Sequence, residues 1–176
     1  RNFGMLKAYD VTGNSSYLTA VRDNIDFVIA TFWISSNGGL EWYSNPATSD
    51  HFYECHQMWF MIAVRMLYDK SGGTYNYLTQ GEAAWHFLTD NNYTNIDMYL
   101  HNYYNHGAFF SYRQITSGGT IQVDPWKGSY EIGTALWGMS LNYDWISNYQ
   151  SSHSDTLYNY LDMMVKQIKN PPTNRG

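Results

Sequence analysis

The sequence predicts an all-α domain assembled from helical hairpins, and three observations predict it. Apolar residues recur at i, i+3, i+4 spacing in the longer stretches, as in Leu18, Val21, Ile25, Val28, Ile29 and Phe32. One pattern also recurs along the chain. Leu6-x-x-Tyr9-Asp10 leads through a turn to Tyr17-Leu18, and Leu67-Tyr68-Asp69 leads through Gly72-Gly73 to Tyr77-Leu78. Leu141-Asn142-Tyr143-Asp144 leads in the same way to a helix carrying Tyr160-Leu161. Finally, the long loops fall between these copies and the short Gly turns within them. Units of this kind bury their faces only against neighbours. The expected architecture is therefore an arc of an (α/α) toroid, about three helical hairpins with short turns at one end. Long loops with short β-hairpins gather at the other end, where a ligand would be met.

Each element has its own signal. Arg1 to Tyr9 carries Phe3 and Leu6 and stops at the Gly13 turn. Ser15 or Ser16 is placed to cap a second helix running to about Trp33. Gly38-Gly39-Leu40-Glu41-Trp42-Tyr43 reads as a turn into a short strand. A third helix, about Asp50 to Asp69, is apolar nearly all round, which predicts burial on several sides. A fourth follows from about Thr74 to Leu88, with a further helical turn or two between Ile96 and Tyr104. The pieces 108–113 and 120–123, split by Ser117-Gly118-Gly119, signal a β-hairpin. The helix after Pro125 has the stripe Ile132, Ala135, Leu136 and Met139, and a sixth runs from Ser154 or Asp155 to about Lys169. Residues 1–170 form one domain, and Pro171-Pro172 opens a disordered tail.

Composition narrows the function. A net charge of −5 argues against nucleic acid, whose phosphates need a basic surface. No apolar run approaches bilayer length, so a soluble domain is expected. The single cysteine, Cys55, excludes an internal disulfide and a Cys-based zinc site. Aromatic residues reach 18% while charged ones are only 14%, so the surface is rich in Tyr, Asn, Ser and Gly, as in exported carbohydrate-handling proteins. Such a compartment would be extracellular or periplasmic, although the cysteine count does not choose one. The chain opens inside a helix with no initiator Met and reads as a piece of a longer protein.

The candidate site centres on Asp124 to Asp144. Trp126 and Lys127 lie in a loop that delivers Tyr130 and Glu131 to a helix N-terminus, where free N–H groups and the positive dipole end favour an anion. Aromatic faces stack on sugar rings, and a carboxylate there can do acid/base chemistry. The bland alternative is a core Trp126 and a surface Glu131 that complements the dipole. Asp50, Tyr53, Glu54 and Gln57 share one face if the third helix begins at Asp50, which would offer two carboxylates and a phenol to the mouth. His56 lies away from that face, either a packing residue or an acid/base group. His51 and Glu54 could chelate as an i, i+3 pair, but no third ligand is placed, so neither metal nor cofactor is expected. Asn105, His106, Tyr112 and Arg113 are the residue types a polysaccharide lyase uses on a uronate. Trp42, Tyr43, Phe109, Tyr112 and Trp126 all fall on the loop end, whereas Trp85 and Trp137 are assigned to packing.

In layout the chain resembles the C-terminal half of the N-acylglucosamine 2-epimerase family of (α/α)6-barrel sugar epimerases and isomerases. The matching pieces are Leu6 to Gly13 with Tyr17-Leu18, the Gly38 to Tyr43 segment, Gln57 in a deep helix, the strand after Gly107, and Asp124-Pro125-Trp126-Lys127-Gly128-Ser129-Tyr130. The resemblance implies a sugar-acting toroid. Where the family places a proton-exchanging His and an Arg after Trp-Lys-x-x-Tyr, this chain has Glu131 and Thr134. The family's Gln-Ala-Glu is here Gln57-Met58-Trp59, and its second His would lie upstream of Arg1. Two-base epimerisation therefore does not carry over residue by residue. The same toroid serves glycoside hydrolases and polysaccharide lyases, so the fold does not choose the reaction.

These readings combine into a carbohydrate-active enzyme domain: hydrolase, lyase or epimerase. Acid/base groups would come from Glu131, Tyr130, Glu54 and His56. Trp126, Lys127, Trp42, Tyr43, Gln57, Tyr112 and Arg113 would hold a mono- or oligosaccharide. A hydrolase would need Glu131 to face Glu54 or Asp124 across the scissile bond. The competing expectation is a non-catalytic sugar-binding or scaffold toroid that has lost its bases. An open arc exposes its deepest helices, so a partner is expected, either the rest of the same protein or a second copy.

Overall fold

The computed structural model describes residues 1–34, 39–40, 49–89, 112–116, 121–124 and 129–144, together with Val165 and Lys169. In chain order the elements are α1 (Asn2–Thr12), α2 (Ser16–Phe32), β1 (Trp33–Ile34), β2 (Gly39–Leu40) and β3 (Ser49–Tyr53). These are followed by α3 (Glu54–Lys70), α4 (Leu78–Thr89), β4 (Tyr112–Thr116), β5 (Ile121–Asp124) and α5 (Ser129–Leu141). Helix dominates, as an all-α domain requires, and the strands are short.

Helices α1 and α2 form the first hairpin. Gly13 ends α1 at φ 67°, a left-handed conformation that glycine enters without penalty, and its N–H reaches Tyr9 O at 2.8 Å. Ser15 occupies the cap position of α2, but its hydroxyl makes no capping bond. The Asn14 carboxamide does that work, accepting from the Ser16 N–H at 3.0 Å. The second hairpin, α3 to α4, turns through Gly72 and Gly73, both at positive φ. Helix α4 starts at Leu78 rather than near Thr74, because Ser71 Oγ accepts the Tyr75 N–H and Asn76 Oδ1 accepts the Leu78 N–H. The same turn is stitched to α2 by Tyr75 against Thr19 and by the Tyr77 hydroxyl donating to Asp26. Burial, reinforced by that carboxylate, pushes the Tyr77 phenol up to about 12.

Helix α3 is the centre of the fold. It packs against α1, α2, α4 and α5. Met58, Phe60, Met61, Ile62, Ala63, Val64 and Leu67 are all buried, so its all-round apolarity reflects contact on every side. Two glycines let neighbours approach it closely. A Cβ on Gly81 of α4 would meet Val64 Cγ2 at 3.0 Å, and one on Gly138 of α5 would meet Met58 Sδ at 2.9 Å.

Contacts fix the helix directions. Near their starts, α1 and α3 touch through Phe3 and Trp59, and near their ends Lys70 pairs with Asp10. Helix α5 meets α3 through Trp137 and Trp59, and beyond its end Asp144 pairs with Arg65. Helices α1, α3 and α5 therefore run parallel, with their N-termini at one end and the Gly turns at the other. The ion pairs of Lys70 and Arg65 sit at the turn end, where Arg65 also holds Asp69.

At the opposite end, β1 and β2 pair antiparallel, with Trp33 opposite Leu40. There β3, β4 and β5 form an antiparallel sheet in that order. The expected hairpin appears as β4 and β5, with Ile115 opposite Ile121 around the Gly118-Gly119 segment. Its first strand runs on past the expected end at 113 to Thr116, through the β-favouring Ile115 and Thr116, while residues 108–111 lie outside the described residues. The third strand corrects the expected start of α3. Residues 49–53 pair with β4, Phe52 opposite Arg113 and Tyr53 opposite Tyr112, so the helix begins only at Glu54. Backbone pairing with β4 takes the place of one more helical turn here. Asp50 and Tyr53 thus share no helical face with Glu54 and Gln57, and His51 and Glu54 are not an i, i+3 helical pair. The expected helical turns between Ile96 and Tyr104 and the tail after Pro171 lie outside the described residues. Of the sixth helix only Val165 and Lys169 are described, both helical.

Candidate functional site

The loop end holds a cavity of about 320 Å³ between the N-terminal turns of α1 and α3 and the C-terminal half of α2. Helix α3 supplies His56, Trp59, Phe60 and Ala63, which recur at i, i+3, i+4, i+7 and therefore form one stripe. From α1 come Asn2 and Phe3, and from α2 Asn24, Val28 and Phe32. Arg1 stands at the rim and Leu40 of β2 closes one wall.

Two features make this more than a gap in the packing. Asn24 Nδ2 donates to Asn2 Oδ1 at 2.8 Å, which fixes both carboxamides. That bond uses one donor and one acceptor, so the pair still presents an N–H and a carbonyl oxygen. His56 is half-buried, and the loss of water pushes its imidazole below the ordinary histidine value. The charged form of the imidazole is thus disfavoured where it stands.

Gln57, next to His56, points elsewhere. It is fully buried, its Oε1 accepts from the Leu40 N–H at 2.9 Å, and its Nε2 donates to Leu40 O at 2.7 Å. The carboxamide fastens β2 to α3 as a neighbouring strand would, and so sets the cavity wall.

Beside the cavity is an aromatic cluster drawn from the three parallel helices. Phe3 lies 4.8 Å from Trp59 and 5.3 Å from Trp137, and Trp59 lies 5.5 Å from Trp137 edge-on, all between ring centroids. These separations suit attractive tilted and edge-to-face pairs. Trp137 packs as the sequence predicts, yet 41% of it remains exposed. Trp85, also assigned to packing, is buried.

The other sequence candidates divide by position. Glu54 is the first residue of α3, and Tyr130 and Glu131 are the second and third of α5. Since α3 and α5 are parallel neighbours, the backbones of Glu54 and Glu131 stand at adjacent helix N-termini on the loop end. Glu131 falls in the register of Thr134 and Gly138, the stripe of α5 nearest α3. Tyr112 and Arg113 are in β4, opposite Asp124 and Val123 on one side and Tyr53 and Phe52 on the other. Trp42, Tyr43, Trp126, Lys127, Asn105, His106 and Phe109 lie outside the described residues.

Asn2, Phe3 and Asn24 are site residues that sequence reasoning passed over. A signal existed for the amides, since Asn24 adjoins Ile25 within the apolar stripe of α2. Among the described residues, no three His, Cys, Asp or Glu side chains converge on a point that could hold a metal. No described helix is long and apolar enough to cross a membrane. No family model matches the chain, and no curated protein matches it well enough to count as a relative.

Proposed function

We propose that this chain is a carbohydrate-active domain, an arc of an (α/α) toroid that binds a sugar at its loop end. The observation supporting this most directly is the cavity beside α1 and α3. A sugar presents apolar C–H faces ringed by hydroxyls. The wall formed by Phe3, Trp59, Phe60 and the Asn2–Asn24 pair offers aromatic faces with a fixed amide donor and acceptor among them. Its volume lies at the lower end of the range for small-molecule sites, about 300–1,000 Å³.

The chemistry proposed is proton transfer on the bound sugar. A neutral His56 serves as base, and Glu54, Glu131 and Tyr130, brought to the same end by parallel helices, supply the acid partner. The rest of the toroid, from the same protein or a second copy, would complete the site in an extracellular or periplasmic setting. A second reading, a sugar-binding module without turnover, is favoured by the absence of any carboxylate among the described residues lining the cavity.

Tryptophan fluorescence titrated with a panel of mono- and oligosaccharides, uronates included, tests binding. Turnover of any sugar that binds is then compared between the native chain, His56→Gln and Glu131→Gln. Lost turnover with retained affinity supports the enzyme, unchanged binding without turnover supports the module, and no binding of any sugar overturns both.

A further inference from the structure

Resting on the carbohydrate reading above, we infer that Trp137 is a second sugar subsite beside the cavity, so that the ligand is an oligosaccharide occupying both positions. Phe3 and Trp59 each do two things. They line the cavity, and they pack against the Trp137 indole. Trp137, which does not itself line the cavity, is therefore one ring removed from its wall, the position assigned to the neighbouring sugar unit.

The local sequence leaves the indole available. Along α5 the exposed stripe is Gly133, Trp137 and Ser140, a broad ring flanked a turn away on each side by a small residue. Among the described residues, a Cβ on Gly133 would meet nothing within 4 Å. Behind it the ring is held firmly. Gly138 brings α5 against Met58, and Phe3 and Trp59 fix the indole from two directions. An aromatic ring that is rigid and partly exposed loses little entropy when a sugar face stacks on it. The indole is left 41% exposed between these small neighbours.

The test uses neutral cello-, xylo- and manno-oligosaccharide series, each from the monosaccharide to the hexasaccharide, with calorimetric titration of the native chain, Trp137→Ala and Trp137→Phe. Circular dichroism confirms that each variant is folded. In at least one series the native chain is expected to gain roughly three- to tenfold in affinity between the monosaccharide and the disaccharide or trisaccharide. Trp137→Ala removes that gain while leaving monosaccharide affinity unchanged, and Trp137→Phe restores part of it. Equal chain-length dependence in native and Trp137→Ala protein overturns the subsite and leaves the cavity reading standing. Absence of binding at every length in all three series overturns the subsite, while the cavity reading is decided by the wider panel above. Light scattering on the same samples addresses the rival occupant, since a dimer abolished by Trp137→Ala would assign this face to a second copy and overturn the subsite.

Discussion

Gln57 and Leu40 are joined as though they were neighbours in a sheet: the side chain of one satisfies both the N–H and the C=O of the other, at 2.9 and 2.7 Å. Leu40 is 4% exposed and Gln57 fully buried, so water cannot replace either bond. Gln57→Leu keeps the approximate volume and strands two backbone groups. It is expected to cost on the order of 2–4 kcal/mol in urea unfolding. A loss below about 0.5 kcal/mol would mean that the β2 segment finds other partners.

Gly138 lets α5 approach α3 closely. Gly138→Ala places a methyl group 2.9 Å from Met58 Sδ, and the helices must separate or Met58 must repack. A loss of about 1–3 kcal/mol is expected, with a changed near-ultraviolet circular dichroism spectrum because Trp137 shifts against Trp59. Met58→Ala is itself costly because Met58 is fully buried, but the double variant should lose less than the two single losses added. If the two losses simply add, the clash is not the cause.

His56 sets a pH dependence whose sign follows from its depressed folded value. The unfolded chain takes up its proton near pH 6.5, the ordinary histidine value, before the folded chain does. Stability is thus complete above about pH 6.5 and falls as pH drops from there to the folded value. Stability measured by urea unfolding from pH 7.5 to 5 should show this slope in the native chain and a flatter one in His56→Gln. Identical slopes would remove His56 as the source.

Much of this was legible from local signals. The stripe of α2, the encirclement of α3 and the turns at Gly13 and Gly72-Gly73 depend on neighbours a few residues apart, which periodicity and backbone freedom report directly. The β3 segment was not legible. Its partner β4 lies some sixty residues on, and Ser49 to Tyr53 carry no alternation that would distinguish a strand from a first helical turn. The candidate site divides along the same line. His56 and Glu54 could be placed at the loop end from their helix, whereas the cavity wall needs Asn2 against Asn24 and Gln57 against Leu40. Those pairings exist only once hairpins have docked.

Arg65 ties two helices at the turn end, reaching Asp69 within α3 and Asp144 beyond α5. Both carboxylates raise its pKa, the Asp144 bond most, but they are well exposed and can be rehydrated when the guanidinium is removed. Arg65→Met should therefore cost only about 1 kcal/mol, with the difference from the native chain shrinking as salt is added. A loss independent of salt would assign the effect to packing of the Arg65 stem instead.

The position of α3 has a consequence for how the molecule opens. Each hairpin can fray at its own turn, but the amides of Met61 to Val64 are sealed by four helices at once, and no partial opening of one hairpin uncovers them. Hydrogen exchange there requires release of the whole assembly, so their exchange rates read the global unfolding free energy. Amides in α1, which among the described elements packs against α2 and α3, are expected to exchange through smaller excursions. The cavity wall borrowed from α1 is then the part of the site that breathes, while the wall carrying His56 and Trp59 keeps its shape until the domain as a whole gives way.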